Sequence, residues 1–140
     1  MCQFIQLSEE ESIIEVGPRT GAITQAILNK IHSPSQLTLI EKNKVLYRYL
    51  RKHFCDINLL HCGTEEFEKK QPATTHKLKY IVSSLPLMSM PEAIRKQWID
   101  AMLALLPPNG YLIQYTYHLF KKEIIQSDTL ALKEKKVSIA

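Results

Sequence analysis

A glycine turn between two apolar segments constrains the fold of this chain more than any other feature. Ile13 and Ile14 precede the turn at residues 15–21, and apolar side chains recur at helical spacing over residues 22–31. The pattern predicts a strand, a tight turn and a helix. Glycines in such a turn let the backbone approach a ligand, and the helix start offers N–H groups to it. We therefore expect a nucleotide-like site here, although Arg19 stands where a middle glycine is usual.

Strand and helix patterns alternate along the rest of the chain. This alternation predicts an α/β fold with a doubly wound, mostly parallel sheet and helices on both faces. We expect Thr20 to cap the first helix. Strands are predicted at residues 12–16, 36–41, 57–61, 80–83 and 111–117, and helices at 20–31, 43–54 and 91–106. The expected buried stripes are Val45, Leu46, Tyr49 and Leu50 in the second helix, and Ile94, Trp98, Met102 and Leu105 in the third.

The length of 140 residues favours one domain, whose core we expect to span residues 12–117. Residues 1–11 are expected to be a polar lead-in outside the core, and residues 69–77 a surface loop. Residues 118–140 are expected to be a weakly ordered tail with at most a weak helix and a short strand at 137–139.

Composition narrows the setting and the partners. No apolar stretch approaches the roughly 20 residues of a membrane span, and the first residues lack the pattern of a signal peptide. Three cysteines without a Cys-x-x-Cys pair indicate a reducing, cytoplasmic setting. The formal net charge of +4 fits an ordinary basic surface. It also fits attraction to an anionic membrane or to nucleic acid, and five of the cations gather within residues 42–52.

Glu41 ends the second predicted strand about 20 residues after the glycine turn, where doubly wound folds place an acidic residue on the ribose of a nucleotide. A carboxylate suits this role because it has two acceptor oxygens and no donor. Alternatively, Glu41 faces the positive end of the second helix.

Two further strand ends carry candidate residues. Thr64 or Glu65, after the third strand, could meet an adenine amino group, or could form a plain turn. Pro86 fixes the direction in which residues 83–87 (SSLPL) leave the fourth strand. This segment is either a rigid rim over a pocket or a simple strand terminator.

The sequence gives little support for a metal site or for a nucleophilic serine. The residues His53, Cys55, His61, Cys62 and His76 lack zinc-site spacing, so we expect no metal. No Gly-x-Ser-x-Gly elbow is present.

The motifs resemble those of class I S-adenosylmethionine-dependent methyltransferases. Residues 14–21 (IEVGPRTG) are similar to the first motif of that superfamily, and Glu41 matches its ribose-binding acid. Residues 81–87 (IVSSLPL) and 106–117 (LPPNGYLIQYTY) are similar to bacterial phospholipid N-methyltransferases, relatives of the ribosomal RNA adenine dimethylases. The dimethylases grip adenine with Asn-Leu-Pro and an aromatic residue. Here Ser84 and Leu87 replace the amide and the ring, which disfavours RNA as a substrate.

The resemblance implies a Rossmann-like methyltransferase sheet, S-adenosyl-L-methionine as cofactor and a lipid or small-molecule amine as substrate. Compared with these relatives the chain looks truncated at both ends. Arg19, Thr64 and Lys79 replace a glycine and two aspartates of the relatives. The implied cofactor-binding residues are Glu15, Gly17, Arg19, Thr20, Gly21, Glu41, Thr64, Glu65 and Ser83, and the implied substrate residues are Ser84, Leu85, Pro86, Leu87 and Tyr117.

Three functions stay open at this point. The first is a methyltransferase acting on a phospholipid amine, with no catalytic residue assigned. The second is a non-catalytic or truncated relative that binds cofactor poorly. The third is a dinucleotide-binding module, since Gly17 and Ala22 half-fit Gly-x-Gly-x-x-Gly/Ala.

Overall fold

The computed structural model describes residues 5–63, 66, 77–114 and 136–139, and six strands within them form one sheet. Every neighbouring pair is parallel, in the order β3-β2-β1-β4-β5-β6. This is the doubly wound order, which reverses direction between β1 and β4. The predicted fold class is confirmed. The strands are β1 (Glu11–Val16), β2 (Leu37–Ile40), β3 (Asn58–Leu60), β4 (Lys77–Ser83), β5 (Tyr111–Gln114) and β6 (Lys136–Ile139).

Within the described residues three helices cover the sheet, namely α1 (Ala22–Leu28), α2 (Lys44–His53) and α3 (Glu92–Leu105). Successive strand residues point to opposite faces, so Ile13 and Ile14 enter different core layers. One layer includes Ile27 of α1 and Leu50 of α2, and the other includes Ile99 and Met102 of α3. Helices therefore lie on both faces, as parallel sheets require.

The start of α1 differs from the prediction. Gly21, not Thr20, is the N-cap residue, with φ of 93° and no side-chain cap. The chain enters the helix through a left-handed turn in which the N–H of Gly21 donates to the carbonyl of Pro18 at 3.0 Å. Thr20 is exposed on this turn, and the prediction that it caps the helix is wrong.

The expectation that residues 1–11 stay outside the core is also wrong. Ile5 and Leu7 are buried in the same layer as α1 and α2. The backbone of Gln6 contacts two β4 side chains, since its N–H donates to the hydroxyl of Tyr80 at 3.2 Å and its carbonyl accepts from Lys79 Nζ at 2.9 Å. Lys79 also lies 3.6 Å from Glu11. Lys79 therefore holds the N-terminal lead-in against the N-terminal half of β4.

Two of the predicted helix stripes need correction. In α2, Val45 is 73% exposed and Tyr49 is 39% exposed, so neither belongs to a buried stripe. Leu50 is buried as predicted, and the helix-ending Phe54 packs against the same layer. In α3, Ile94 is 43% exposed, while Ile99, Met102 and Leu103 are buried.

Strand boundaries match the predictions within a few residues, with one larger difference. β4 begins at Lys77, inside the segment expected to be a loop, because residues 77 and 78 pair with Glu11 and Ser12 of β1. The short strand expected at 137–139 is confirmed as β6 beside β5. Residues 115–117 of the predicted fifth strand lie outside the described part of the chain.

Candidate functional site

Three alternate residues of the glycine turn are left-handed. The backbone φ is 67° at Gly17, 56° at Arg19 and 93° at Gly21. At Gly17, a Cβ atom would lie 3.0 Å from Leu85 Cδ2, so only glycine gives this close approach without displacing that side chain. Arg19 is exposed and holds a conformation that costs a non-glycine residue roughly 1–3 kcal/mol. The backbone thus keeps the shape of a three-glycine turn although its middle residue is an arginine.

A cavity of about 70 Å³ lies where the sheet order reverses, at the C-terminal ends of the strands. A larger cavity of about 430 Å³, lined in part by Glu11, Lys77 and Asn109, lies at the opposite edge of the sheet. Doubly wound sheets bind ligands at their carboxyl edge, so the smaller cavity is the candidate site. Its walls are Val16, Gly17, Ile40, Glu41, Lys42, Cys62, Gly63, Leu85 and Trp98.

Glu41 lines this cavity and is 6% exposed. Its Oε2 accepts a hydrogen bond from the N–H of Asn43 at 2.9 Å. Asn43 in turn caps α2, since its Oδ1 accepts from the N–H groups of Val45 and Leu46. The two interpretations of Glu41 are therefore compatible, because one carboxylate both supports the helix start and faces a cavity.

Glu15 is a fully buried carboxyl group beneath the turn. Its Oε1 accepts from the hydroxyl of Thr24 at 2.5 Å, and its Oε2 has no hydrogen-bond partner among the described residues. Burial raises the pKa of Glu15 to about 7, the Thr24 hydrogen bond opposes this, and the negative charge of Glu41 adds to it. This carboxyl group is thus able to change its charge near neutral pH.

The segment after β4 is held by both neighbouring strands. The N–H of Ser84 donates to the carbonyl of Val16 at 3.0 Å, and Gln114 Nε2 donates to the carbonyl of Leu85 at 3.1 Å. Ser83 Oγ accepts from the N–H of Leu85 at 3.3 Å. Ser84 Oγ is buried and has no hydrogen-bond partner in the described part of the chain. The segment is therefore a fixed rim with one unsatisfied hydroxyl.

The predicted site residues do not all meet at the cavity. Gly17, Glu41 and Leu85 line the cavity, while Glu15, Ser83 and Ser84 are buried beside it. Arg19, Thr20 and Pro86 are exposed. Leu87 packs into the α3 core layer and does not line the cavity. Thr64, Glu65 and Tyr117 lie outside the described residues.

Sequence reasoning missed six cavity residues and one supporting side chain. Trp98 was assigned to the core, and helical spacing cannot distinguish a core residue from a pocket wall. Thr24 could have been found, because it lies three positions before buried Ile27 and so places a polar group on the buried face of α1. The missed wall residues are Val16, Ile40, Lys42, Cys62, Gly63 and Trp98.

Comparison with known proteins now identifies the family. The model for the ribosomal RNA adenine dimethylases matches residues 2–129. The chain belongs to this family. Of two curated relatives, an ornithine lipid N-methyltransferase from Singulisphaera acidiphila is 23% identical over 74% of this chain. The small-subunit ribosomal RNA methyltransferase A from Chlorobium phaeobacteroides is 26% identical over 58% of it.

The region that matches this chain is only part of each relative. The matches span 56% of the ornithine lipid enzyme and 29% of the ribosomal RNA enzyme. Among solved structures, a sugar N-methyltransferase from Streptoalloteichus superposes with a TM-score of 0.56 at 12% identity. This superposition covers 74% of this chain and 40% of that one, and it supports the methyltransferase fold.

S-adenosylmethionine is the cofactor of this class, and the residues present fit its adenosine part. Gly17 leaves no side chain between the turn and the cavity, and Glu41 offers a carboxylate to ribose hydroxyls. Glu15 Oε2 and Ser84 Oγ are buried acceptors without a protein partner in the described region. The cavity is smaller than the roughly 300–1,000 Å³ of whole-ligand pockets, so it matches part of the cofactor and not all of it. No described helix is both long and apolar enough to cross a membrane.

Proposed function

We propose that the chain is an S-adenosylmethionine-dependent N-methyltransferase domain that acts on the amine of a phospholipid head group. The observation that carries the proposal is the rim at residues 83–87. It lies at the carboxyl edge of β4 against Gly17, and its buried Ser84 hydroxyl lacks a partner among the described residues. A small hydroxyl in this place suits an aliphatic amine.

The same rim favours a lipid amine over an RNA adenine. Ser84 has no amide with which to pair an adenine edge, and buried Leu87 has no ring on which a base could stack. The similarity to an ornithine lipid N-methyltransferase adds support, at 23% identity. We propose that the protein works in the cytoplasm and meets its substrate at the membrane surface.

In this proposal the protein accelerates the reaction mainly by positioning the reactants and excluding water, and less by acid–base catalysis. The bound cofactor supplies a methyl group on a sulfonium, a good leaving group. The attacking amine must be neutral, so an ammonium head group would first give a proton to solvent; S-adenosylmethionine would then supply the methyl group and leave as S-adenosylhomocysteine. Ser84 Oγ accepts a hydrogen bond from the amine and orients its lone pair. Glu41 and the turn around Gly17 hold the adenosine end.

Binding measurements separate the three open functions. Calorimetric titration should show S-adenosylhomocysteine binding and no NADP binding. The reverse result would make the chain a dinucleotide-binding module, whose strand order is the same. Absence of binding to either ligand would favour the non-catalytic relative.

Substrate class is tested by transfer of a labelled methyl group. Detergent-dispersed phosphatidylethanolamine should be labelled in preference to ribosomal RNA. Ser84→Ala should lower transfer by about 3- to 10-fold, the value of one lost hydrogen bond. Ser89→Ala, which changes an exposed serine two residues beyond the rim, is the matched control and should leave transfer unchanged. Labelling of RNA adenine instead of lipid would overturn the proposal.

A further inference from the structure

The outer face of α2 concentrates positive charge. Four cations, Lys44, Arg48, Arg51 and Lys52, lie on this ten-residue helix, which contains no acidic residue. No Asp or Glu occurs within residues 42–55. With Lys42, the segment carries five cations, more than the formal net charge of +4 of the whole chain.

Helix geometry brings the four cations together. At 3.6 residues per turn they fall within an arc of about 100°, in the order Arg51, Lys44, Arg48, Lys52. All four are exposed, and we call them the α2 basic face. Val45 and Tyr49 continue the same arc at its edge and are 73% and 39% exposed. The result is a cationic strip bordered by an aliphatic and an aromatic side chain.

The basic face begins at the candidate site. α2 starts three residues after Glu41, so its first turn lies at the carboxyl edge of the sheet. Lys42, between them, places its Nζ 6.0 Å from the centre of the Trp98 ring, and both residues line the cavity. A flat anionic surface on α2 would therefore adjoin the cavity mouth.

We propose that the α2 basic face, with Val45 and Tyr49, docks the protein on an anionic phospholipid bilayer. The inference deepens the proposed function, because docking would bring lipid head groups to the edge of the sheet that holds the site. Cations on a helix attract anionic lipid, and apolar side chains at their border enter the interface. Tyrosine is favoured at that depth, where its ring and hydroxyl are both satisfied.

Nucleic acid fits this face less well than a bilayer does. Single-stranded nucleic acid is bound by open aromatic rings between cations. Here Tyr49 already stacks on His53 with ring centres 4.0 Å apart, and Tyr47 stacks on His61 at 4.9 Å. Val45, the most exposed apolar residue named on this helix, has no ring or polar group to offer a base. It can bury its methyl groups among acyl chains.

The test uses vesicles without an amine substrate, so that binding is independent of methyl transfer. The protein is sedimented with phosphatidylcholine vesicles that contain or lack phosphatidylglycerol. We expect binding only to the anionic vesicles. A basic residue near such a surface contributes about fivefold, so Lys44→Gln/Arg48→Gln/Lys52→Gln should lower partitioning on the order of 100-fold. Val45→Ser should lower it severalfold without changing charge.

The matched control is Lys30→Gln/Lys77→Gln/Lys96→Gln, which removes the same charge from exposed positions on other surfaces. It should lower partitioning much less than the α2 triple variant. Equal losses would show diffuse electrostatics and overturn the inference. The inference would also be overturned if the α2 triple variant lost its binding to a single-stranded RNA oligonucleotide but still bound the vesicles. Urea unfolding of both variants confirms that they fold.

Failure of docking is distinguishable from failure of the proposed function. Methyl transfer to the water-soluble amine phosphoethanolamine does not need a bilayer. If this transfer persists in the wild type while anionic vesicles are not bound, the docking surface is wrong and the methyltransferase proposal stands. If vesicles are bound but no amine is methylated, the opposite holds.

Discussion

At the scale of single residues, Arg19 holds a backbone conformation that its own side chain disfavours. Its φ of 56° is left-handed, and the residue stands between two left-handed glycines in the sequence. Such strain costs roughly 1–3 kcal/mol and persists only where the surrounding structure imposes it. Here the imposing contacts lie on both sides. Gly17 donates its N–H to Ile40 and packs against Leu85, and Gly21 donates to Pro18.

Arg19→Gly is expected to leave the free energy of unfolding unchanged or to raise it by up to about 2 kcal/mol, because relief of strain offsets the added freedom of the unfolded chain. Gln25→Gly, at an exposed position of α1, should cost about 1 kcal/mol without such relief. Urea denaturation measures both. A loss at Arg19 as large as at Gln25 would mean that the turn is unstrained.

The same substitution tests whether the Arg19 side chain obstructs binding of the cofactor. We expect Arg19→Gly to bind S-adenosylhomocysteine more tightly in calorimetry. Arg19→Ala keeps the strained backbone and removes the guanidinium. It therefore separates an effect of the side chain from an effect of backbone strain. An increase in both variants assigns the obstruction to the side chain, whereas no increase in either shows that Arg19 is compatible with cofactor.

At the scale of elements, the start of α1 and the end of α2 pack through the missing side chain of Gly21. A Cβ atom there would lie 2.4 Å from Cε2 and 2.7 Å from Cζ of Phe54. Phe54 ends α2, and its N–H donates to the carbonyl of Leu50 at 2.8 Å. One glycine thus serves both the left-handed entry into α1 and the seating of α2.

Gly21→Ala should destabilise the protein by about 2–4 kcal/mol, since overpacking and backbone strain add. In a Phe54→Leu background the overpacking part should fall by about 1–2 kcal/mol, while the strain remains. A double-mutant cycle in urea measures this coupling. Strictly additive effects would show that the ring and the glycine do not meet.

This contact also explains what could be predicted from the sequence and what could not. The order of strands and helices followed from their alternation, because parallel neighbours need helical crossovers. The buried face of α2 did not, since apolar residues at 45, 46, 47, 49 and 50 allow two different stripes. The contact of Phe54 with Gly21, distant in sequence, selects between them. Glu41 was predictable from its place after a strand, whereas Trp98 as a cavity wall needed the packed structure.

At the scale of the whole molecule, the central strand carries a carboxyl group that links protonation to folding. Glu15 lies on β1, between β2 and β4, and none of its side chain is exposed. Burial raises the pKa of Glu15 to about 7 in the folded chain, against an ordinary value of 4.5. The folded protein therefore binds this proton more tightly than the unfolded chain. The contribution of Glu15 to stability therefore falls as the pH rises from 4.5 to 7, because ionisation is easier after unfolding.

The loss of stability attributable to Glu15 is about 3 kcal/mol. It begins near pH 4.5 and is complete once the pH has passed 7. Glu15→Gln should remove it, so the stability of this variant relative to wild type should rise by about that amount between those pH values. Thr24→Val removes the hydrogen bond that favours the ionised form, and so should extend the loss to higher pH. Urea midpoints measured across pH 4 to 9, at roughly one-unit steps, follow all three proteins. Parallel profiles for Glu15→Gln and wild type would show that this carboxyl group is not the one that titrates.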